Sequence, residues 1–91
     1  MNMDKEDYVE ISKHEDGSHS MELPIEEDGT LLLSTIHMYY PKAVSMKYKS
    51  PKGNWRGVKF AHGMFFPPRG GWGTNVYIVS TPEENGRFLF K

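Results

Sequence analysis

Ninety-one residues suffice for one domain with a thin core, and 37% hydrophobic with 25% charged residues is an ordinary globular composition. With no cysteine, disulfides and thiolate metal sites are excluded; apolar runs such as Leu31-Leu32-Leu33 are too short to span a membrane, and the polar N-terminus predicts no secretion signal. The net charge of −1 hides an asymmetry: residues 1–28 hold ten acids and two bases, whereas residues 29–91 hold nine bases and two acids.

A single domain over residues 1–91 is expected, with residues 1–7 polar and frayed at its start. Tyr8, Val9, Glu10, Ile11 and Ser12 read as a first strand. Residues 14–20, with Asp16-Gly17, read as a hairpin turn. Met21-Glu22-Leu23 continues as the second strand, which Pro24 ends or marks as an edge. The spacing of Leu32, Leu33, Ile36 and Tyr40 predicts a helix from Gly29 to Tyr40. Asp28 or Thr30 would cap it, with Glu26, Glu27 and Asp28 near its positive end, and Pro41 would stop it.

Beyond the helix the period returns to two. Val44, Met46 and Tyr48 alternate with Ser45, Lys47 and Lys49, which predicts one buried and one basic side. Residues 50–54 form a turn. Trp55, Val58 and Phe60 are expected to face inward from the next strand, with Arg56 and Lys59 on its polar side. Phe65-Phe66 reads as a short strand. Residues 67–73, rich in proline and glycine, form a loop. Residues 75–81 read as the best buried strand, closed by Pro82, and Phe88-Leu89-Phe90 as a last strand or a sticky tail. Two strands, one helix and several further strands suit an α+β, ubiquitin-like (β-grasp) mixed sheet covered by one main helix.

Little in the chain points to chemistry. His14, His19, His37 and His62 lack zinc-ligand spacing, so no metal or other cofactor is expected. The acids Glu22, Glu26, Glu27 and Asp28 read as a solvated contact patch rather than a catalytic pair. Gly70, Gly71 and Gly73 form no phosphate loop. An enzyme is not expected. Between Lys42 and Arg69 there are seven bases and no acid. Two outcomes follow: the acidic and basic faces pair within one monomer, or they attract copies of the domain to one another. The basic stretch also suggests an alternative RNA- or single-stranded-DNA-binding face of Lys47, Lys49, Lys52, Arg56 and Lys59, with the aromatics Tyr48 and Trp55 among them. Strand alternation turns Tyr48 away from that face. A ubiquitin-like adaptor for another protein is a third reading.

The segment 21–36 resembles the start of the TAR DNA-binding protein N-terminal domain family. So do Tyr40-Pro41, Lys47-Tyr48-Lys49, Arg56-Gly57-Val58, Gly71-Trp72-Gly73, and Val76-Tyr77-Ile78-Val79 followed by Pro82 and Asn85. The resemblance covers residues 8–87, with one deletion near Gly53. It implies a ubiquitin-like fold, also compared with the DIX domain. It further implies head-to-tail self-association within a nuclear RNA-binding protein that acts in splicing.

The same resemblance implies contacts from Glu22, Glu26 and Tyr39 at an acidic pole. At the basic pole it implies the turn Lys52-Gly53-Asn54 together with Arg56 and Lys59. Poles that do not complement themselves would build an open, heterologous chain of weak, salt-sensitive contacts. No membrane and no small-molecule substrate are expected. Three departures stand out. His19 replaces a usual acid, which weakens the acidic pole at neutral pH. The shortened turn lacks the family's serine. Gly86-Arg87-Phe88 replaces its basic nuclear-import run.

Overall fold

The computed structural model describes residues 7–82. Six of the seven residues of the expected frayed start, 1–7, and the last strand or tail expected at Phe88-Leu89-Phe90 lie outside them. In chain order the elements are β1 (Tyr8–Ser12), β2 (Met21–Pro24), β3 (Leu31–Leu32) and α1 (Leu33–His37). They continue with β4 (Ser45–Lys49), β5 (Trp55–Gly57), β6 (Phe60–Ala61), β7 (Met64–Phe65) and β8 (Val76–Ser80).

Five strands form one mixed sheet in the order β2-β1-β8-β4-β5. The hairpin β1–β2 is antiparallel, with Glu10 opposite Glu22. The last strand, β8, enters the middle of the sheet, parallel to β1 and antiparallel to β4. A parallel central pair reached after a helix, flanked by two antiparallel pairs, is the topology of a ubiquitin-like α+β domain. A second, three-stranded sheet has the order β3-β7-β6.

Period-two patterning sets the inner face. Val9, Ile11, Leu23, Met46, Tyr48, Tyr77 and Val79 turn inward, where Leu31, Ile36, Phe65 and Trp72 join them. Trp72 is fully buried. Its indole N–H donates to the Gly29 carbonyl at 2.8 Å, and Tyr77 packs edge-on at 5.1 Å and donates its hydroxyl proton to the Trp72 carbonyl at 2.6 Å. The loop of residues 67–73 is therefore pinned to the core by its tryptophan.

The helix is shorter than its periodicity predicts. Leu31 and Leu32 pair with Phe65 and Met64 as a strand, and the Leu33 amide continues outward to the Gly63 carbonyl at 2.9 Å. Helix formation begins only after those backbone groups are satisfied elsewhere. Asp28 consequently caps a turn rather than the helix: its carboxylate accepts from the Thr30 amide at 3.0 Å and the Thr30 hydroxyl at 2.7 Å. Those two bonds hold the Asp28 carboxyl below its usual value. No acid lies in the first turn of α1. The helix closes at His37, and the Tyr40 amide still reaches the Ile36 carbonyl at 2.7 Å before Pro41.

Candidate functional site

The two sets of charged residues come to opposite edges of the five-stranded sheet. Glu22 lies on β2, the edge strand at one side, and Glu26 follows that strand; both are exposed. Arg56 lies on β5, the edge strand at the other side, beside the exposed turn of Lys52, Gly53 and Asn54. Four strand intervals separate the edges, about 19 Å at the usual spacing of neighbouring strands. The turn is held from within: the Ser50 amide donates to the Asn54 carbonyl at 2.7 Å, and the Gly53 amide donates to the Ser50 carbonyl at 2.8 Å. Gly53 has φ +89, a conformation that favours glycine, so the short turn is built for this backbone.

Lys59 follows β5 and is exposed, with its ammonium 5.4 Å from the Phe66 ring centroid. Tyr39 is half exposed after α1. It lines a cleft with Lys13 and Lys42, and neither Glu22 nor Glu26 lines that cleft. The structure thus brings Lys52, Gly53, Asn54 and Arg56 together and puts Glu22 and Glu26 at the far edge, while Tyr39 lines a cleft after α1.

The outer face of the sheet gathers part of the basic stretch around a tryptophan. Lys49 pairs with Trp55 across β4 and β5, and both point outward. Trp55, expected to face inward, is 38% exposed, with the Lys47 ammonium 4.4 Å and the Lys49 ammonium 5.0 Å from its ring. Tyr48 is buried on the opposite side, as alternation predicts. Val44 and Phe60 are also exposed rather than inward. For Phe60 the reason is a break at Gly57: the chain leaves the large sheet there and enters the small one as β6.

The β1–β2 hairpin folds over this outer face. The Ser12 hydroxyl donates to the Ser18 carbonyl at 2.7 Å, and Gly17, at φ +80, lies against Val76. Ile78 is covered there and only 3% exposed. At the hairpin tip Glu15 accepts from the Lys47 ammonium at 2.7 Å, which holds its carboxyl below the ordinary value. This is the one salt bridge among the described residues. The two poles therefore do not neutralise each other within the monomer: Glu22, Glu26, Lys52, Arg56 and Lys59 carry no ion pair there. The described residues also contain no group of three or more potential metal ligands. No helix among them is long and apolar enough to cross a membrane.

A ubiquitin-like domain with unpaired charges of opposite sign on its two sheet edges is the class these features define. The particular family follows from the sequence. The chain belongs to the family described as TAR DNA-binding protein 43, N-terminal domain, whose model matches residues 8–81. That match spans every strand and the helix.

Proposed function

We propose that this domain links copies of itself head to tail, the acidic edge of one copy meeting the basic edge of the next, within a nuclear RNA-binding protein that acts in splicing. The carrying observation is the placement of Glu22 and Glu26 at one sheet edge and of Lys52, Arg56 and Lys59 toward the other, all without ion pairs among the described residues. Edge strands also offer unpaired backbone groups to a neighbour. The edges carry opposite charge, so contact is heterologous and propagates rather than closing on two copies. Exposed charge pairs set register and encounter rate more than depth of affinity, so association is weak and falls with salt. The domain has no catalytic role in this reading.

Sedimentation against protein concentration tests it, using the wild type, Glu22→Arg, Arg56→Glu and an equimolar mixture of the two variants. Growth of the wild type, monomeric single variants and a mixture that associates again is the expected pattern, because in the mixture opposite charges meet at both poles. A wild type that stays monomeric to near-millimolar concentration overturns it.

A second reading has its own observation: Trp55 shares the outer face with Lys47 and Lys49, an aromatic platform between cations suited to a nucleobase and its phosphate. Glu15 and Asp16 line the same cleft and oppose a phosphate chain, which is why this reading ranks second. Quenching of Trp55 emission by single-stranded RNA, with a steep salt dependence, would favour it.

A further inference from the structure

The turn after α1 carries an apolar surface of its own. Among the described residues, four of the six exposed large apolar side chains gather around it: Met38 at 71%, Tyr39 at 50%, Val44 at 45% and Phe60 at 43% exposure. Two clefts flank it, of about 480 Å³ and about 270 Å³. Pro41, Lys42 and Ala43 line both, so the turn is a ridge between two pits. Leu33, Val44 and Phe60 line the larger pit, and Tyr39, Tyr40 and Val79 the smaller.

The ridge is fixed before any partner arrives. The His37 ring donates from Nε2 to the Ala43 carbonyl at 2.9 Å, the Ala43 amide donates to the Tyr40 carbonyl at 3.1 Å, and the Val44 amide donates to the Ser80 carbonyl at 2.8 Å. The Tyr40 hydroxyl reaches the Ile11 carbonyl at 3.4 Å, and burial raises its pKa. A preformed surface loses little conformational freedom on binding.

Its charge has one sign. Among the described residues, Lys13 and Lys42 line the pits, no acid does, and neither lysine is ion-paired. We propose that this ridge docks a short acidic–apolar peptide segment of a partner protein. Two bulky apolar side chains enter the two pits and a carboxylate lies between Lys13 and Lys42. An RNA strand fits less well, because two lysines neutralise few phosphates and both pits would stay empty. The charged residues proposed for self-association, Glu22, Glu26, Arg56 and Lys59, line neither pit, whereas Tyr39 lines the smaller one, so reversals at Glu22 and Arg56 separate the two readings.

The test uses the full chain, labelled for NMR, and a panel of ten-residue peptides carrying two glutamates and two of Phe, Leu or Trp at spacings of two to four. The expected result is saturable shifts at Leu33, Met38, Val44 and Phe60 for at least one spacing. Exchanging the peptide glutamates for lysines, or making Lys13→Glu with Lys42→Glu in the protein, should weaken binding about tenfold or more. Both lysines are exposed, and unchanged shifts elsewhere verify that the variant folds. Silence across the panel at millimolar peptide overturns the proposal. So do shifts confined to Trp55 or β2. Shifts at the ridge that grow with protein concentration alone would assign it to a second copy. Shifts induced only by phosphatidylserine vesicles would assign it to a membrane. Either outcome overturns the peptide.

Discussion

Glu22 and Arg56 stand on the two edge strands of one sheet, with β1, β8 and β4 between them. They cannot meet within a monomer, so any attraction between them acts between copies. Each single reversal, Glu22→Arg or Arg56→Glu, places like charges across the contact. Both in one chain restore opposite signs with the poles exchanged. The double variant should therefore regain, at low salt, most of the self-association that either single change removes, read by sedimentation velocity. A double variant as monomeric as the singles would show that these two residues do not face each other across the contact.

Trp72 closes the core from a loop, and its partners make the cost of losing it foreseeable. It fills a fully buried site, donates to Gly29 and receives the Tyr77 hydroxyl at its carbonyl. Trp72→Ala should lower unfolding free energy by about 3–5 kcal/mol in urea titrations, since the fixed strands around it cannot collapse into the space. Tyr77→Phe keeps the ring and removes the buried hydrogen bond, and should cost about 1–3 kcal/mol. Equal losses for the two would mean that packing at Trp72 matters less than its hydrogen bonds.

Strand alternation made β1 and β4 legible, because a half-buried strand must show period two, and Met46 and Tyr48 do face inward. The helix start was not legible. Leu32, Leu33, Ile36 and Tyr40 satisfy a helical spacing, yet Leu31 and Leu32 find Phe65 and Met64 far along the chain, and no local pattern announces such a partner. Trp55 misled for a related reason: an apolar residue is expected inside, while its register with Lys49 fixes it outside. The charge split was legible as a count. Two poles follow from that count and from the resemblance, but only the strand order puts the acids and bases on opposite edges of one sheet. Nothing local places the β1–β2 hairpin over the outer face, so Glu15 with Lys47 went unread, as did the cleft that Tyr39 shares with Lys13 and Lys42.

The Glu15–Lys47 bridge has a pH signature. The hydrogen bond and charge of Lys47 hold the Glu15 carboxyl below its ordinary value of 4.5. A carboxyl lowered in the folded chain adds stability that is present above its unfolded value and is lost as pH falls through the lower folded one. The bridge is solvent-exposed, so the effect on stability is small and fades with salt. Site-resolved NMR titration should find the Glu15 midpoint below the ordinary glutamate value, and Lys47→Met should return it there. A Glu15 midpoint unmoved by Lys47→Met would remove the lysine as the cause.

His19 sits in the hairpin just before β2, at φ +53, with its ring 5.4 Å from that of His14. Position 19 stands two residues before β2, so a charge there belongs to the field that an incoming basic edge would meet. His19→Asp probes that field, because aspartate tolerates the left-handed backbone better than most residues and brings a negative charge. That variant should associate more tightly than the wild type at neutral pH and low salt, by sedimentation at matched ionic strength. A His19→Asp protein indistinguishable from the wild type would place position 19 outside the field felt by the incoming basic edge.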